Sequence, residues 1–296
     1  MNRREFIGGA AGVLSAASLL VGDEQAKPVA PSDRVNLAII GAGSRGQQLM
    51  RTFLRVPGVR FAGICDVYEP RFAAARKITG EQTPTYADYR RLLEAREIDA
   101  VYIATPLSDH AEHVTAALES GRPVYGEKSL GLTVEDCNRI VEAVRRSGRV
   151  FQIGLQYHYA PWYREAITRI HAGKIGQVTQ IYAYWHRNNN WRRPVPEATV
   201  VEHGIVTGAS YRAELPYRGP GEPIRVPEGT AGNPDFLACK AFINSVRTKQ
   251  RPLADEQKGW GEGVAVALDN KAIDEGRRIL FAEHAQMPPA AQAGGA

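Results

Sequence analysis

The sequence predicts an α/β protein with a doubly wound parallel sheet. Short, continuous apolar runs alternate with amphipathic stretches of helical length, which is the pattern of strands covered by helices on both faces. Residues 216–234 lie where a second domain would continue, and Gly and Pro turn formers dominate them.

The composition narrows the class of protein. The 296 residues are 44% hydrophobic and 23% charged, which fits a globular chain of two domains and excludes disorder and collagen. Lys and Arg number 37 against 32 for Asp and Glu, and they are spread along the chain, so no nucleic-acid partner is expected. The three cysteines are far apart, which argues against disulfides.

Residues 1–26 are interpreted as a signal segment. Arg3 and Arg4 precede an apolar, small-residue stretch at residues 7–21, and acidic residues follow it. The run NRREFI resembles a twin-arginine export signal, so we expect an exported, periplasmic protein. An uncleaved membrane anchor is the alternative. No apolar run reaches the ~18 residues of a membrane span, so no stable span is expected after signal removal.

Five strands are expected in the sheet, because apolar, β-branched runs of strand length stand at residues 35–40, 59–66, 99–105, 123–128 and 150–156. Helices are expected between them at residues 45–55, 70–79, 88–96, 110–120 and 134–147. Pro70 suits the first turn of its helix and Gly80 its end, while Thr133 is a natural N-cap and Gly148 a natural stop.

Two more helices are expected near the end of the chain. Asn233 and Pro234 open one that runs to Val246 and buries Leu237, Ala241 and Val246. The other covers residues 261–276 and packs against the sheet.

The first strand ends in the turn GAGSRG, in which Gly41, Gly43 and Gly46 have the G-x-G-x-x-G spacing. The first glycine permits a tight turn, the second lets the backbone approach a diphosphate, and the third lets helix and strand pack closely. The N–H groups of the helix that starts at Ser44 and Arg45 favour a bound phosphate. The turn therefore predicts a dinucleotide site of the Rossmann type.

Asp66 predicts which dinucleotide is preferred. It lies at the end of the second strand, where a carboxylate accepts hydrogen bonds from the adenosine ribose hydroxyls. The same charge repels a 2′-phosphate, so NAD is favoured over NADP. Arg45 and Arg71 can weaken that preference, which keeps NADP open as the cofactor.

Three further motifs follow the glycine turn: ATPLSDH (residues 104–110), GEKSLGLT (126–133) and GLQYHYAPW (154–162). Their order and spacing resemble the Gfo/Idh/MocA oxidoreductases over about residues 35–194, and residues 234–281 resemble that family's closing helices. The resemblance implies a Rossmann-type domain at 34–156, a second, truncated α+β domain for substrate binding and oligomerisation at 157–284, and a flexible tail at 285–296.

The resemblance also implies residues around a nicotinamide cofactor. Thr105 and Pro106 end a strand beside it, and His110 matches the family's His after that pair, with a histidine satisfied inside the fold as the alternative. The remaining implied cofactor contacts are Glu127, Lys128, Gln156, Trp191 and Arg192. For Trp191 and Arg192 the alternative is a surface turn.

Lys128 is the expected catalytic residue. Glu127 and Lys128 match the family's Glu-Lys-Pro motif, with Ser129 in place of the proline. Near a cationic nicotinamide ring in a dry cleft the ammonium form is disfavoured, so the lysine can donate or accept a proton at a sugar hydroxyl. An ordinary surface lysine is the alternative.

The sequence departs from the family after Pro194. The relatives' segment with a catalytic His and Asp is absent there, although residues 177–187 resemble the first strand of their second domain. His186 and His203 have no Asp at helical spacing. No metal site is expected, because His110 and His113 lack a further ligand.

These observations favour an NAD(P)-dependent oxidoreductase that transfers a hydride between bound nicotinamide and a hydroxyl of a sugar or polyol. Two alternatives stay open: an NAD-dependent glycosidase of the same family, and a nucleotide-binding relative that has lost its active site. The expected partner is a small-molecule sugar or polyol. A homo-oligomer is left open.

Overall fold

The computed structural model describes residues 30, 33–174, 176–179 and 232–289, and a six-stranded sheet forms the centre of this part. The strands are β1 (Val35–Ile40), β2 (Val59–Cys65), β3 (Thr85–Tyr86), β4 (Ala100–Ile103), β5 (Val124–Gly126) and β6 (Phe151–Ile153). Their order is β3-β2-β1-β4-β5-β6, and every neighbouring pair is parallel. The order reverses at β1, which opens a crevice at the carboxyl ends of β1 and β4.

Helices cover both faces of this sheet, and each face has its own hydrophobic cluster. The helices of the described residues are α1 (Ser44–Phe53), α2 (Pro70–Thr79), α3 (Tyr89–Leu93), α4 (His110–Glu119), α5 (Val134–Ser147), α6 (Pro161–His171), α7 (Pro234–Thr248), α8 (Glu256–Glu275) and α9 (Phe281–His284). The predicted α/β class with a doubly wound parallel sheet is confirmed. Helices α2 and α5 have the predicted bounds, and Thr133 and Asp136 form a capping box at the start of α5.

Other elements differ from the prediction in extent. Helix α3 is shorter than the predicted residues 88–96. It begins at Tyr89, because Asp88 is its N-cap and accepts from the N–H of Arg90, and it ends at Leu93. Strand β3 was not predicted, since two residues are too few to show an alternating pattern. Helix α6 was not predicted either, and none of its residues is fully buried.

Helix α7 turns a different face to the core from the one predicted. Leu237, Ala241 and Val246 are only half-buried, so their predicted burial is wrong. The fully buried apolar residues of this helix are Ala238, Cys239, Phe242 and Ile243. The Phe242 ring sets this rotation, because it packs edge-on against Tyr125 with 5.6 Å between the ring centroids.

Helix α8 begins before the predicted Gly261, because Asp255 caps it by accepting from the N–H groups of Gln257 and Lys258. The start of the predicted tail is packed rather than free. Ala285 is buried, and the guanidinium of Arg145 donates to the backbone oxygen of Pro288.

Several expectations fall on residues that the structure does not describe. They are the signal segment at 1–26, most of the strand at 177–187, His186, His203, and the cofactor contacts Trp191 and Arg192. Among the helices that are described, none has the length and apolar character needed to span a membrane.

Candidate functional site

The predicted site residues come together at the carboxyl edge of the sheet. Gly41 follows β1, Asp66 follows β2, Thr105 follows β4, Lys128 follows β5 and Gln156 follows β6. Parallel strands bring their carboxyl ends to one edge, which is where ligands bind in open α/β sheets.

Protein packing explains the first and third glycines of the turn. Gly41 has φ +97°, and a Cβ there would lie 2.6 Å from the backbone carbon and oxygen of Ala104. A Cβ on Gly46 would lie 2.2 Å from the backbone oxygen of Gly41. Both positions therefore need glycine for the fold itself.

Gly43 is different, because nothing in the described protein excludes a side chain there. Its φ of −68° and ψ of −171° suit any residue, and the nearest atom to a Cβ would be Arg71 Cζ at 3.9 Å. It is the N-cap of α1, which has no side-chain cap and no acidic residue in its first turn, where Ser44 is exposed. The space in front of the N-terminus of α1 is open, and no side chain caps its N–H groups. Such a position suits a phosphate group.

Asp66 borders the same turn. Its Oδ2 accepts from the N–H of Ala42 at 2.8 Å and its Oδ1 from the N–H of Tyr68 at 2.8 Å. Arg71 Nη1 lies 3.1 Å from both carboxylate oxygens. The Asp66 side chain is 2% exposed, so the Arg71 guanidinium covers the carboxylate that was predicted to bind ribose.

Arg45 and Glu127, both predicted to contact the cofactor, are paired with each other. Arg45 Nε donates to Glu127 Oε1 at 2.9 Å, and the rest of the guanidinium donates to Asp235 on α7 and to Gln48. Burial raises the pKa of Glu127, and the positive charge of Arg45 opposes that shift. Burial lowers the pKa of Arg45, but the carboxylates of Glu127 and Asp235 outweigh it, so the net shift is upward.

Lys128 is exposed at the carboxyl edge, and its peptide bond to Ser129 is cis. His110 is buried beside it: Nδ1 lies 2.9 Å from the Ser129 backbone oxygen and Nε2 lies 3.2 Å from the Thr105 backbone oxygen. Burial lowers the pKa of His110. The two hydrogen bonds favour the charged ring and raise the pKa, but burial has the larger effect. His110 therefore links the loops after β4 and β5 within the fold.

The remaining predicted residues lie nearby with fewer contacts. Pro106 precedes a 3₁₀ turn at Leu107–Asp109, and Gln156 begins another at Gln156–Tyr159, both half-buried. The Tyr159 hydroxyl accepts from the N–H of Ala254, so Tyr159 packs between the loop after β6 and the start of α8.

Two acidic residues at this edge were not predicted. Asp235 pairs with Arg45, and Glu262 accepts a hydrogen bond from the Ser129 hydroxyl at 2.5 Å. Only Glu262 could have been noticed in the sequence, because it lies among three closely spaced glycines of α8, Gly259, Gly261 and Gly263. In the part of the chain that the structure describes, no three metal-ligating side chains come together.

Residues 35–155 match the sequence profile described as "Oxidoreductase family, NAD-binding Rossmann fold", GFO_IDH_MocA. Over these residues the chain is similar to the Gfo/Idh/MocA oxidoreductases. The match covers the part of the chain in which the sequence motifs resemble this family, and the family description supports NAD as the cofactor of residues 35–155.

Known proteins similar to this chain include two from Saccharopolyspora erythraea. Inositol 2-dehydrogenase 2 is 32% identical over 169 residues, 56% of this chain and 49% of that protein. Inositol 2-dehydrogenase 3 is 37% identical over 157 residues, which are 52% of this chain and 45% of that protein. The crystal structure of myo-inositol 2-dehydrogenase from Lactobacillus plantarum is 27% identical with a TM-score of 0.46, covering 49% of this chain and 43% of that one. The chain thus spans about half the length of these relatives.

Proposed function

We propose that the protein is an NAD-dependent oxidoreductase that transfers a hydride between bound nicotinamide and the carbinol carbon of a sugar or polyol. The observation that carries the proposal is the open space at Gly43. Packing accounts for glycine at positions 41 and 46 but not at 43, whereas a diphosphate lying against the backbone accounts for it.

Each residue at the carboxyl edge has a role in this proposal. Bound NAD supplies the ring that accepts or returns the hydride. The N–H groups at the start of α1 bind the diphosphate, and Asp66 accepts from the ribose hydroxyls once Arg71 moves aside. Lys128 holds or moves the proton at the substrate hydroxyl oxygen. The Arg45–Glu127 pair fixes the residue before Lys128 relative to the glycine turn.

The substrate class is supported by the relatives. Two proteins with at least 32% identity across this domain are named inositol 2-dehydrogenases, and inositol is a cyclic polyol. The proposal is therefore the class of substrate and not one compound.

NADH titration of the purified protein, followed by nicotinamide fluorescence, tests the proposal together with turnover on a panel of sugars and polyols that includes myo-inositol. We expect NADH binding and NAD-dependent oxidation of at least one panel member. Lys128→Met should abolish turnover and keep NADH affinity, while Lys240→Met, at an exposed position on α7, should keep both.

Three results would contradict the proposal. No binding of NAD(H) or NADP(H) would remove its basis. Binding without turnover on the whole panel would favour a nucleotide-binding relative without an active site. Cleavage of a glycoside with no net NADH formation would favour a glycosidase.

We also propose that the protein is exported through its twin-arginine-like signal. Support comes from Arg3 and Arg4 ahead of the apolar stretch at residues 7–21. Changing both arginines to lysine should trap the protein in the cytoplasm, as measured by cell fractionation. An unchanged periplasmic fraction would contradict export by this route.

A further inference from the structure

Ser129, the residue after Lys128, is held from two sides. Its backbone oxygen lies 2.9 Å from His110 Nδ1, and its hydroxyl donates to Glu262 Oε1 at 2.5 Å. His110 begins α4, whereas Glu262 lies on α8 near the other end of the described chain. The neighbour of Lys128 thus joins two distant elements.

Helix α8 is built to lie close to this loop. A Cβ on Gly263 would lie 2.9 Å from Leu130 Cβ and 2.8 Å from Cys137 Sγ, and a Cβ on Gly259 would lie 3.2 Å from Leu130 Cδ1. Because these two glycines are one helical turn apart, they lie on one face and let the α8 backbone approach residues 129–131. Glu262 stands next to Gly263 and reaches Ser129 from this close position.

The Glu262 carboxyl group has few hydrogen-bond donors around it for its degree of burial. Its Oε2 is buried, and no donor among the described residues meets it with ordinary hydrogen-bond geometry. Burial raises the pKa of Glu262, and the Ser129 hydroxyl, the Lys128 charge and the Leu130 N–H oppose that shift. A buried carboxyl oxygen without a well-placed donor is costly, so a residue kept in this state calls for an explanation.

We infer that Glu262 is a positioning residue for Lys128, acting through the hydroxyl of Ser129. The inference rests on the proposed function, in which Lys128 handles the substrate proton. Strand β5 ends at Gly126, so neither Lys128 nor Ser129 belongs to a strand or helix that would fix its place. The Glu262 contact and the His110 contact together restrain the loop, and the exposed lysine extends from it.

The test compares Glu262→Ala, Glu262→Gln, Ser129→Ala and the double variant Ser129→Ala/Glu262→Ala with wild type. Asp269→Ala, at an exposed acidic position on the same helix, is the matched control. Amide hydrogen exchange of the peptide spanning residues 127–131 reports on the loop without any need for turnover. NADH affinity, kcat and KM are measured on the same preparations.

Glu262→Ala and Ser129→Ala should each speed exchange of this peptide about tenfold, the effect of losing one ordinary hydrogen bond. Each should lower kcat by a similar factor and change KM and NADH affinity by less than about twofold. The double variant should show the same exchange rate and the same kcat as the more impaired single variant, because both substitutions remove the same Ser129–Glu262 hydrogen bond. Glu262→Gln should retain most of the wild-type behaviour, since its amide oxygen still accepts from Ser129.

The inference is overturned if Glu262→Ala exchanges like Asp269→Ala, if the two single effects add in the double variant, or if Glu262→Gln is as impaired as Glu262→Ala. Failure of the proposed function gives a different result. It would appear in the wild-type protein as no binding of NAD(H) or NADP(H), or as binding without turnover on the whole panel, whatever the exchange of the loop.

Discussion

Arg45 Nε donates to Glu127 Oε1 at 2.9 Å, and this contact ties the first turn of α1 to the residue before Lys128. The same guanidinium donates to both carboxylate oxygens of Asp235 on α7. One side chain therefore connects the glycine turn, the loop after β5 and a helix from the end of the chain. Such a pair stabilises the fold only while both partners are present.

Arg45→Met should lower the free energy of unfolding by about 3–5 kcal/mol, because it leaves the Glu127 carboxylate buried without its partner. Arg45→Met/Glu127→Met should recover much of this loss. Arg91→Met, which breaks an exposed pair with Glu94, should leave the free energy of unfolding nearly unchanged and is the control. Urea unfolding followed by circular dichroism measures all three. Equal costs for Arg45→Met and Arg91→Met would contradict the account.

Two glycines on α8 should respond in opposite directions to alanine. Gly263→Ala should destabilise the protein by about 1–3 kcal/mol, because its Cβ would meet Cys137 and Leu130 below 3.0 Å. Gly261→Ala should stabilise it by about 0.5–1 kcal/mol, since no atom lies within 4 Å of its Cβ and alanine favours the helix. Thermal melts compare the two variants. A stabilising Gly263→Ala would show that α8 does not approach the Lys128 loop this closely.

Stability should fall as the pH drops below about 6.5, the ordinary histidine value. Burial lowers the pKa of His110 and of His113, so below that value the unfolded chain takes up protons that the folded chain does not. Each group contributes up to about 1.4 kcal/mol per pH unit until its folded pKa is reached.

Urea unfolding at pH values between about 7.5 and 5.5 measures this dependence. His110→Asn/His113→Asn should flatten the slope, and His171→Asn, at an exposed position on α6, should leave it unchanged. If the double variant keeps the wild-type slope, other groups cause the acid sensitivity.

The Asp66–Arg71 pair should set the choice between NAD and NADP. Arg71→Ala should lower NADP(H) affinity about tenfold, because the group available to a 2′-phosphate is lost, and it should not weaken NAD(H) binding. Asp66→Asn should weaken NAD(H) binding and reduce the ratio of NAD(H) affinity to NADP(H) affinity. Fluorescence titrations with NADH and NADPH check both variants. Unchanged relative affinities in both would place the adenosine ribose elsewhere.

The sequence predicts the frame of the site because each part of the frame has a local signal. Strand β1 is a continuous apolar run, α5 has its cap at Thr133 and its stop at Gly148, and the glycines of the turn have a fixed spacing. These signals also place Asp66 and Lys128 at the same edge of the sheet, since parallel strands share their carboxyl end.

The contacts that surround these residues could not be predicted in the same way. Arg45 and Asp235 are 190 positions apart, and Ser129 and Glu262 are 133 apart, so no local period relates them. The rotation of α7 depends on how the Phe242 ring packs against Tyr125, which the sequence pattern of the helix does not encode. Long-range packing decides the partner of each charged group.

The central claim, that the glycine turn binds a diphosphate, is tested most directly by NADH titration of Gly43→Val beside a measurement of its unfolding free energy. Its Cβ meets no protein atom closer than 3.9 Å, so we predict a stability within about 1 kcal/mol of wild type, the cost of a poorer N-cap. NADH affinity should fall at least about tenfold, because the side chain fills the space that a phosphate would occupy. Wild-type NADH affinity in a stably folded Gly43→Val protein would contradict the claim.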